Sequence, residues 1–227
     1  MDKFLKNVVK IQQKIMFDSE KYQKIAKNIN LLQKKTKIIA ISKNHPLKSV
    51  ESAISYGVQT FGENRVQEAK LKFDDILKKK NNIELHLTGP LQTNKVKNAL
   101  ELFDVFHTLD REKLLKEFSK FPTKTSSKSF FIQVNTGKET TKSGVMPEET
   151  EAFLELCISY GIKNISGLMC IPPINDDPKK HFQLISKLSK NLGLGRPSIG
   201  MSSDYLVALD FEPQYIRLGT ILFGKRV

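Results

Sequence analysis

Lys43 closes the apolar run Lys37-Ile38-Ile39-Ala40-Ile41-Ser42. At the C-terminal end of a buried strand, low dielectric disfavours the ammonium and makes the neutral, nucleophilic amine accessible. Such amines attack aldehydes, and Schiff-base lysines are built this way. A solvated strand terminus looks the same in a sequence, because a lysine stem covers apolar surface while its head stays in water. What separates the two is the company the lysine keeps. Met201-Ser202-Ser203-Asp204 and Arg217-Leu218-Gly219-Thr220 each come at the end of a short apolar run. Both offer small residues, hydroxyls and backbone N–H groups where a helix begins, and helix N-termini attract anions. An amine on one side and a phosphate cup on the other would suit a phosphorylated aldehyde.

For these residues to meet, the ends of several strands must converge. Apolar runs at 37–42, 59–62, 84–88, 104–108, 129–135, 165–170, 198–201 and 215–218 read as strands. Between them, 47–56, 64–79, 93–102, 111–119, 147–160, 178–191 and 203–210 carry helical periodicity. Tyr56-Gly57, Tyr160-Gly161 and Gly193-Leu194-Gly195 supply stop signals, and Pro46 and Pro147 stand at helix starts. Eight strands alternating with helices predict an α/β fold, a (β/α)8 TIM-type barrel rather than an open sheet. The second and seventh strands are the weakest of the eight. In such a barrel the site lies at the C-terminal strand ends, and the loops after strands seven and eight commonly bind phosphate. Residues 3–28 read as an extra N-terminal helix with Phe4, Val8, Ile11 and Ile15 along one face. That helix is expected to pack on the barrel's outside or close its floor, in preference to lying on a membrane. No linker or repeat divides the chain, so the expectation is one domain over 1–227, with a helical segment at 1–28 and the barrel at 37–226.

Hydrophobic content of 39% without biased tracts fits a folded globular chain. No apolar stretch approaches the roughly 20 residues of a spanning helix. Lys3, Lys6, Lys10 and Lys14 interrupt any signal-peptide core. Cys157 and Cys170 form neither a short-spaced pair nor a metal pattern, which suits reduced thiols in the cytoplasm. The net charge of +13 matches the footprint of a nucleic-acid binder. Only five of the 37 basic residues are arginine, however, and the lysines are scattered. Specific phosphate and base recognition favours arginine, so the charge implies weak, salt-sensitive polyanion binding and no specific nucleic-acid partner.

The ordered motifs carry a resemblance. Ile41-Ser42-Lys43, Phe61-Gly62-Glu63-Asn64-Arg65-Val66-Gln67-Glu68, His86-Leu87-Thr88-Gly89-Pro90-Leu91-Gln92-Thr93-Asn94-Lys95 and Gln133-Val134-Asn135 open the series. Lys142-Ser143-Gly144, Gly167-Leu168-Met169, Gly200-Met201-Ser202-Ser203-Asp204, Arg217-Leu218-Gly219-Thr220 and Phe223-Gly224-Lys225-Arg226 complete it. Together they resemble the pyridoxal phosphate homeostasis proteins, stand-alone relatives of the N-terminal barrel of alanine racemase (fold-type III). The match runs in order from about residue 37 to 226, although each motif alone is weak.

The resemblance implies that Lys43 forms a Schiff base with pyridoxal 5′-phosphate and that Asn64 lies beside the ring hydroxyl. Ser202, Gly219 and Thr220 would hold the phosphate, and Arg217 would face the pyridine nitrogen. Ser202 could equally cap the helix after the seventh strand, since capping and phosphate binding use the same helix end. Asn44-His45-Pro46, Arg65 and Leu85 depart from the family's usual residues and bear on rim contacts. His86 and His107 are expected to be satisfied strand histidines, Cys170 a packed thiol, and Met169 a pocket-lining residue with core packing the close competitor. In racemase relatives a tyrosine from an added C-terminal domain serves as the second acid/base. This chain ends at Val227, directly after the eighth strand, and Tyr215 would sit too deep to replace it. The expectation is a monomeric, cytoplasmic cofactor-binding protein of vitamin B6 homeostasis, with no metal and no robust catalysis. Free amino acids and apoenzymes that use the cofactor are its expected partners, and a weak amino-acid racemase or another fold-type III enzyme is the alternative.

Overall fold

The computed structural model describes residues 17–79 and 82–224. Eight parallel strands form a closed barrel in sequence order. They are β1 (Lys37–Ile41), β2 (Thr60–Glu63), β3 (Glu84–Leu87), β4 (Val105–Leu109), β5 (Ser129–Gln133), β6 (Ile165–Met169), β7 (Ser198–Met201) and β8 (Tyr215–Leu218). All eight coincide with the runs expected from sequence, the weak second and seventh included. The barrel closes where β1 pairs with β8, from Lys37 opposite Tyr215 to Ala40 opposite Leu218.

Helices cover the outside: α1 (Ser19–Leu31), α2 (Leu47–Ser55), α3 (Val66–Lys79), α4 (Val96–Leu102), α5 (Glu112–Phe118), α6 (Pro122–Ser126), α7 (Thr150–Ser159), α8 (Pro178–Asn191), α9 (Tyr205–Leu209) and α10 (Thr220–Phe223). The one-turn helices α6 and α10 had no counterpart in the periodicity. Pro147 opens a short 3-10 turn ahead of α7 rather than the α-helix itself.

Burial on two faces explains why the strands read as unbroken apolar runs. On β1, Ile39 and Ile41 point into the barrel and pack with Val105, Phe131, Met169 and Tyr215. Ile38 and Ala40 face outward into the larger layer beneath the helices. Fully burying each large apolar side chain stabilises the fold by about 1.5–3 kcal/mol.

The lower barrel holds a polar chain within this apolar setting. His86 Nδ1 lies 2.8 Å from His107 Nε2, and His86 Nε2 lies 2.7 Å from Glu84 Oε1. The Tyr215 hydroxyl donates to the same Glu84 oxygen at 3.4 Å, so Tyr215 sits deep, as expected. His107 stacks face to face on Phe131, with centroids 4.7 Å apart. Burial depresses the pKa of both imidazoles, His107 more strongly, and keeps them neutral. His86 is satisfied at both nitrogens, whereas His107 Nδ1 is buried without a partner among the described residues. The expectation of two satisfied histidines therefore holds for one of them.

Asp18 starts α1 by accepting the Lys21 backbone N–H at 3.0 Å. Ile25 and Ile29 are buried, and Phe17 packs against Tyr22, Tyr56 and Phe223. The Asp18 N–H also donates to Leu222 O at 2.7 Å, tying the segment to α10. This helix lies on the barrel's outside, starts only at Ser19 and ends at Leu31, so the single helix expected over 3–28 is interrupted at the Phe17–Asp18 cap and runs three residues past its expected end. The face expected at Phe4, Val8, Ile11 and Ile15 lies outside the described residues.

Candidate functional site

The six residues singled out from sequence come together. Lys43, Asn64, Ser202, Arg217, Gly219 and Thr220 all line one cavity of about 530 Å³ at the C-terminal ends of the strands. Lys43 and Asn64 follow β1 and β2, while Ser202, Gly219 and Thr220 follow β7 and β8. The barrel's closure places these two groups side by side, because β1 neighbours both β2 and β8.

Lys43 is half-buried and follows Ser42, whose N–H donates to Gly62 O at 3.0 Å and extends the strand pairing. Asn64 is oriented by Thr88, whose hydroxyl donates to its Oδ1 at 3.0 Å and to Glu63 O at 3.3 Å. Gly89 permits this close approach, since a Cβ there would meet the Asn64 Cβ at 2.6 Å.

On the adjoining wall, Ser202 Oγ accepts the backbone N–H of Gly219 at 3.2 Å and of Ile221 at 3.4 Å. Ser202 therefore caps α10, not the helix that follows its own strand. There Asp204 closes the turn by accepting the Met201 N–H at 2.6 Å. The backbone donors and the hydroxyl form a cup suited to an anion's oxygens.

Arg217 is 5% exposed. Its Nη1 donates to Ser198 O at 2.7 Å and Ser198 Oγ at 2.8 Å, and its Nη2 donates to Cys170 O at 2.9 Å. Among the described residues no carboxylate lies within ion-pair distance of it. Burial pushes its pKa down, partly opposed by the nearby Cys170 and Asp204. Cys170 is no thiolate counterion, because burial raises its pKa to about 12. A buried cation held only by neutral acceptors is costly, and a ligand acceptor at the cavity would offset that cost.

The family model for the alanine racemase N-terminal domain matches residues 21–227. A pyridoxal phosphate homeostasis protein of Aquifex aeolicus (strain VF5) is 33% identical over 217 residues, covering 91% of this chain and 94% of that protein. The chain belongs to the pyridoxal phosphate homeostasis protein family. Among solved structures, PipY of Synechococcus elongatus PCC7942 with PLP bound gives a TM-score of 0.79 at 30% identity, over 91% of this chain and 99% of PipY. The alanine racemase of Bartonella henselae with covalently bound pyridoxal phosphate gives 0.72 at 15% identity, and this chain spans 58% of it. That second likeness is one of fold.

This homeostasis-family barrel also corrects one expectation. Met169 does not line the cavity; it is fully buried in the barrel's interior cluster, because its strand position points inward below the mouth. Cys170 is the buried, packed thiol that was expected. Thr88, His45, Ile171, Met201 and Ser203 line the cavity without having been assigned a role from sequence. His45, in the segment that departs from the family pattern, stacks on Phe223 at 5.2 Å. Leu85, a second departure, is fully buried in the outer core layer.

Proposed function

We propose that this barrel holds pyridoxal 5′-phosphate reversibly as a Schiff base on Lys43 and serves intracellular vitamin B6 homeostasis without robust catalysis. The observation that carries the reading is the convergence of an amine, an anion cup and a buried arginine on one cavity of about 530 Å³. Cofactor and small-ligand pockets span roughly 300–1,000 Å³.

The residues present fit the group. When bound, the cofactor supplies an aldehyde that condenses with a primary amine and exchanges between amines. Lys43 supplies the amine from the end of β1. Ser202, Thr220 and the Thr220 N–H would hold the phosphate in charge-assisted hydrogen bonds stronger than neutral ones, with the Gly219 N–H orienting the Ser202 hydroxyl. Asn64, whose Oδ1 accepts the Thr88 hydroxyl, would meet the ring hydroxyl. Arg217 would face the ring nitrogen. A guanidinium offers only donors and keeps its proton, so Arg217 would leave that nitrogen unprotonated and weaken the electron sink that carbanion chemistry requires. Among the described residues no tyrosine lines the cavity. Holding, orienting and yielding the cofactor to competing amines is the role this reading assigns. Free amino acids and cofactor-requiring apoenzymes are the partners of this reading, and the protein acts as a cytoplasmic monomer.

The test is to mix full-length protein with pyridoxal 5′-phosphate, record the visible absorption band, reduce with borohydride and map the labelled peptide. The adduct is expected on Lys43, and Lys43→Ala is expected to lose the band. An adduct on Lys48, Lys95 or Lys142 would overturn the assignment. Robust racemisation of L-alanine or L-serine on prolonged incubation, followed by chiral chromatography, would replace the carrier reading with an enzymatic one.

A further inference from the structure

The two residues that flank Lys43 are both tied to one buried cluster of charges. Lys72, on α3, is 8% exposed. Its Nζ lies 2.7 Å from Ser42 O, 2.8 Å from Glu63 Oε1 and 2.7 Å from Glu68 Oε1. Glu63 is fully buried at the end of β2 and also accepts the Ser42 hydroxyl at 2.6 Å. Glu68 accepts the Asn44 backbone N–H at 2.5 Å. Ser42 is thus bound to the cluster through its carbonyl and its hydroxyl, and Asn44 through its amide. Only Lys43 stands between them.

Asn44 has a φ of 61°, in the left-handed region that asparagine tolerates better than other non-glycine residues, and the Glu68 carboxylate on its N–H fixes it there. The cluster is also poorly designed for stability alone. One lysine serves two carboxylates, and Glu63 Oε2 is buried without a partner among the described residues. Burial pushes the Glu63 pKa up against the pull of Lys72. At Glu68, burial is outweighed by the Lys72 hydrogen bond and the Asn44 N–H, which hold the carboxyl below its ordinary value. Well-packed apolar groups would serve the core at least as well as buried ion pairs. What an ionic fork supplies and apolar packing does not is a fixed direction, here at the two peptide units that aim Lys43. Neither Lys72 nor its two carboxylates line the cavity.

We propose that Lys72 is a positioning residue that, by bridging Glu63 and Glu68, locks the backbone from Ser42 to Asn44 and so sets the reach of the Lys43 amine into the cavity. The inference rests on the reading of Lys43 as the reactive amine. It requires that loss of Lys72 change the chemistry of Lys43 without removing any ligand contact.

The experiment uses the full chain as Lys72→Met and as Lys72→Met/Glu63→Gln, the latter neutralising the fully buried carboxylate that would lose its cation. Lys78→Met, an exposed position on the same helix, is the control. In the cofactor-free proteins, competitive acetylation with acetic anhydride is followed by peptide mass spectrometry from about pH 7 to about pH 10, the range that brackets lysine ionisation. The rate at Lys43 is read relative to exposed Lys48. Both Lys72 variants are expected to change that ratio at least about threefold and to move its pH midpoint, as a displaced amine does. The control should match the parent protein. With pyridoxal 5′-phosphate added, the pH midpoint of the visible band should shift in the same two variants. An unchanged Lys43 ratio and midpoint in natively folded variants would overturn the proposal, and so would loss of native circular dichroism in both. If the parent protein forms no adduct on Lys43, the functional reading falls, while the acetylation ratio still decides the role of Lys72.

Discussion

Replacing Ser202 with alanine separates capping from ligand binding, because the structure fixes what each role is worth. In the ligand-free protein the hydroxyl oxygen accepts two neutral backbone N–H groups, at 3.2 Å and 3.4 Å. Both are at or beyond the long end of good geometry, so each contributes toward the low end of the net range, about 0.5 kcal/mol. The ligand-free variant should then lose about 1 kcal/mol, or about 2–4 °C in melting temperature for a chain of this size. With the phosphate in the cup, the same hydroxyl donates to a charged oxygen, an interaction worth about 1.5–3 kcal/mol. Loss of that bond should weaken retention of pyridoxal 5′-phosphate by about 10- to 150-fold. Thermal melts with and without the cofactor, together with an absorbance titration, measure both quantities. If the ligand-free melt falls by about 2–4 °C while retention changes less than about threefold, the hydroxyl is a cap and nothing more, and the assignment of the phosphate cup is wrong.

Two further outcomes follow from the geometry. The His86 and His107 pKa values are depressed by burial below the ordinary 6.5, so the unfolded chain binds these protons first. Their contribution to stability is present above pH 6.5 and is lost as pH falls through 6.5 toward the folded values; urea unfolding across that window should show the slope, and His86→Leu/His107→Phe should flatten it. In Gly89→Ala the new Cβ meets Asn64 at 2.6 Å. That variant should lose about 1–3 kcal/mol in urea unfolding, together with cofactor retention, because the displaced residue is a cavity wall.

The strands were legible because burial on both faces writes an apolar run directly into the chain, as in Ile38 to Ile41. Their alternation with amphipathic helices then implied closure, and closure implied which loops would meet. Lys43, Asn64, Ser202, Arg217, Gly219 and Thr220 were all reachable by that route, aided by the resemblance of the ordered motifs. What escaped depends on partners far away in sequence. The helix α10 is a single turn whose end groups are satisfied by Ser202 from another strand, so no local cap announces it. The fork at Lys72 joins α3 to the residues around Lys43, thirty positions earlier. Its only local trace is Glu68 one turn before Lys72, which reads as an ordinary surface pair. Met169 was misplaced because inward orientation on a strand does not reveal depth, and depth decides between the barrel's mouth and its interior.

The seam between β1 and β8 has a consequence for biosynthesis. Lys43 is among the early residues to leave the ribosome, whereas Arg217, Gly219 and Thr220 are among the late ones, and their strands pair only in the closed barrel. A partly synthesised chain therefore has an amine but no receptacle for the anion opposite it. On the proposed assignment, vitamer capture would require the completed barrel, and parting of the first and last strands would break the site.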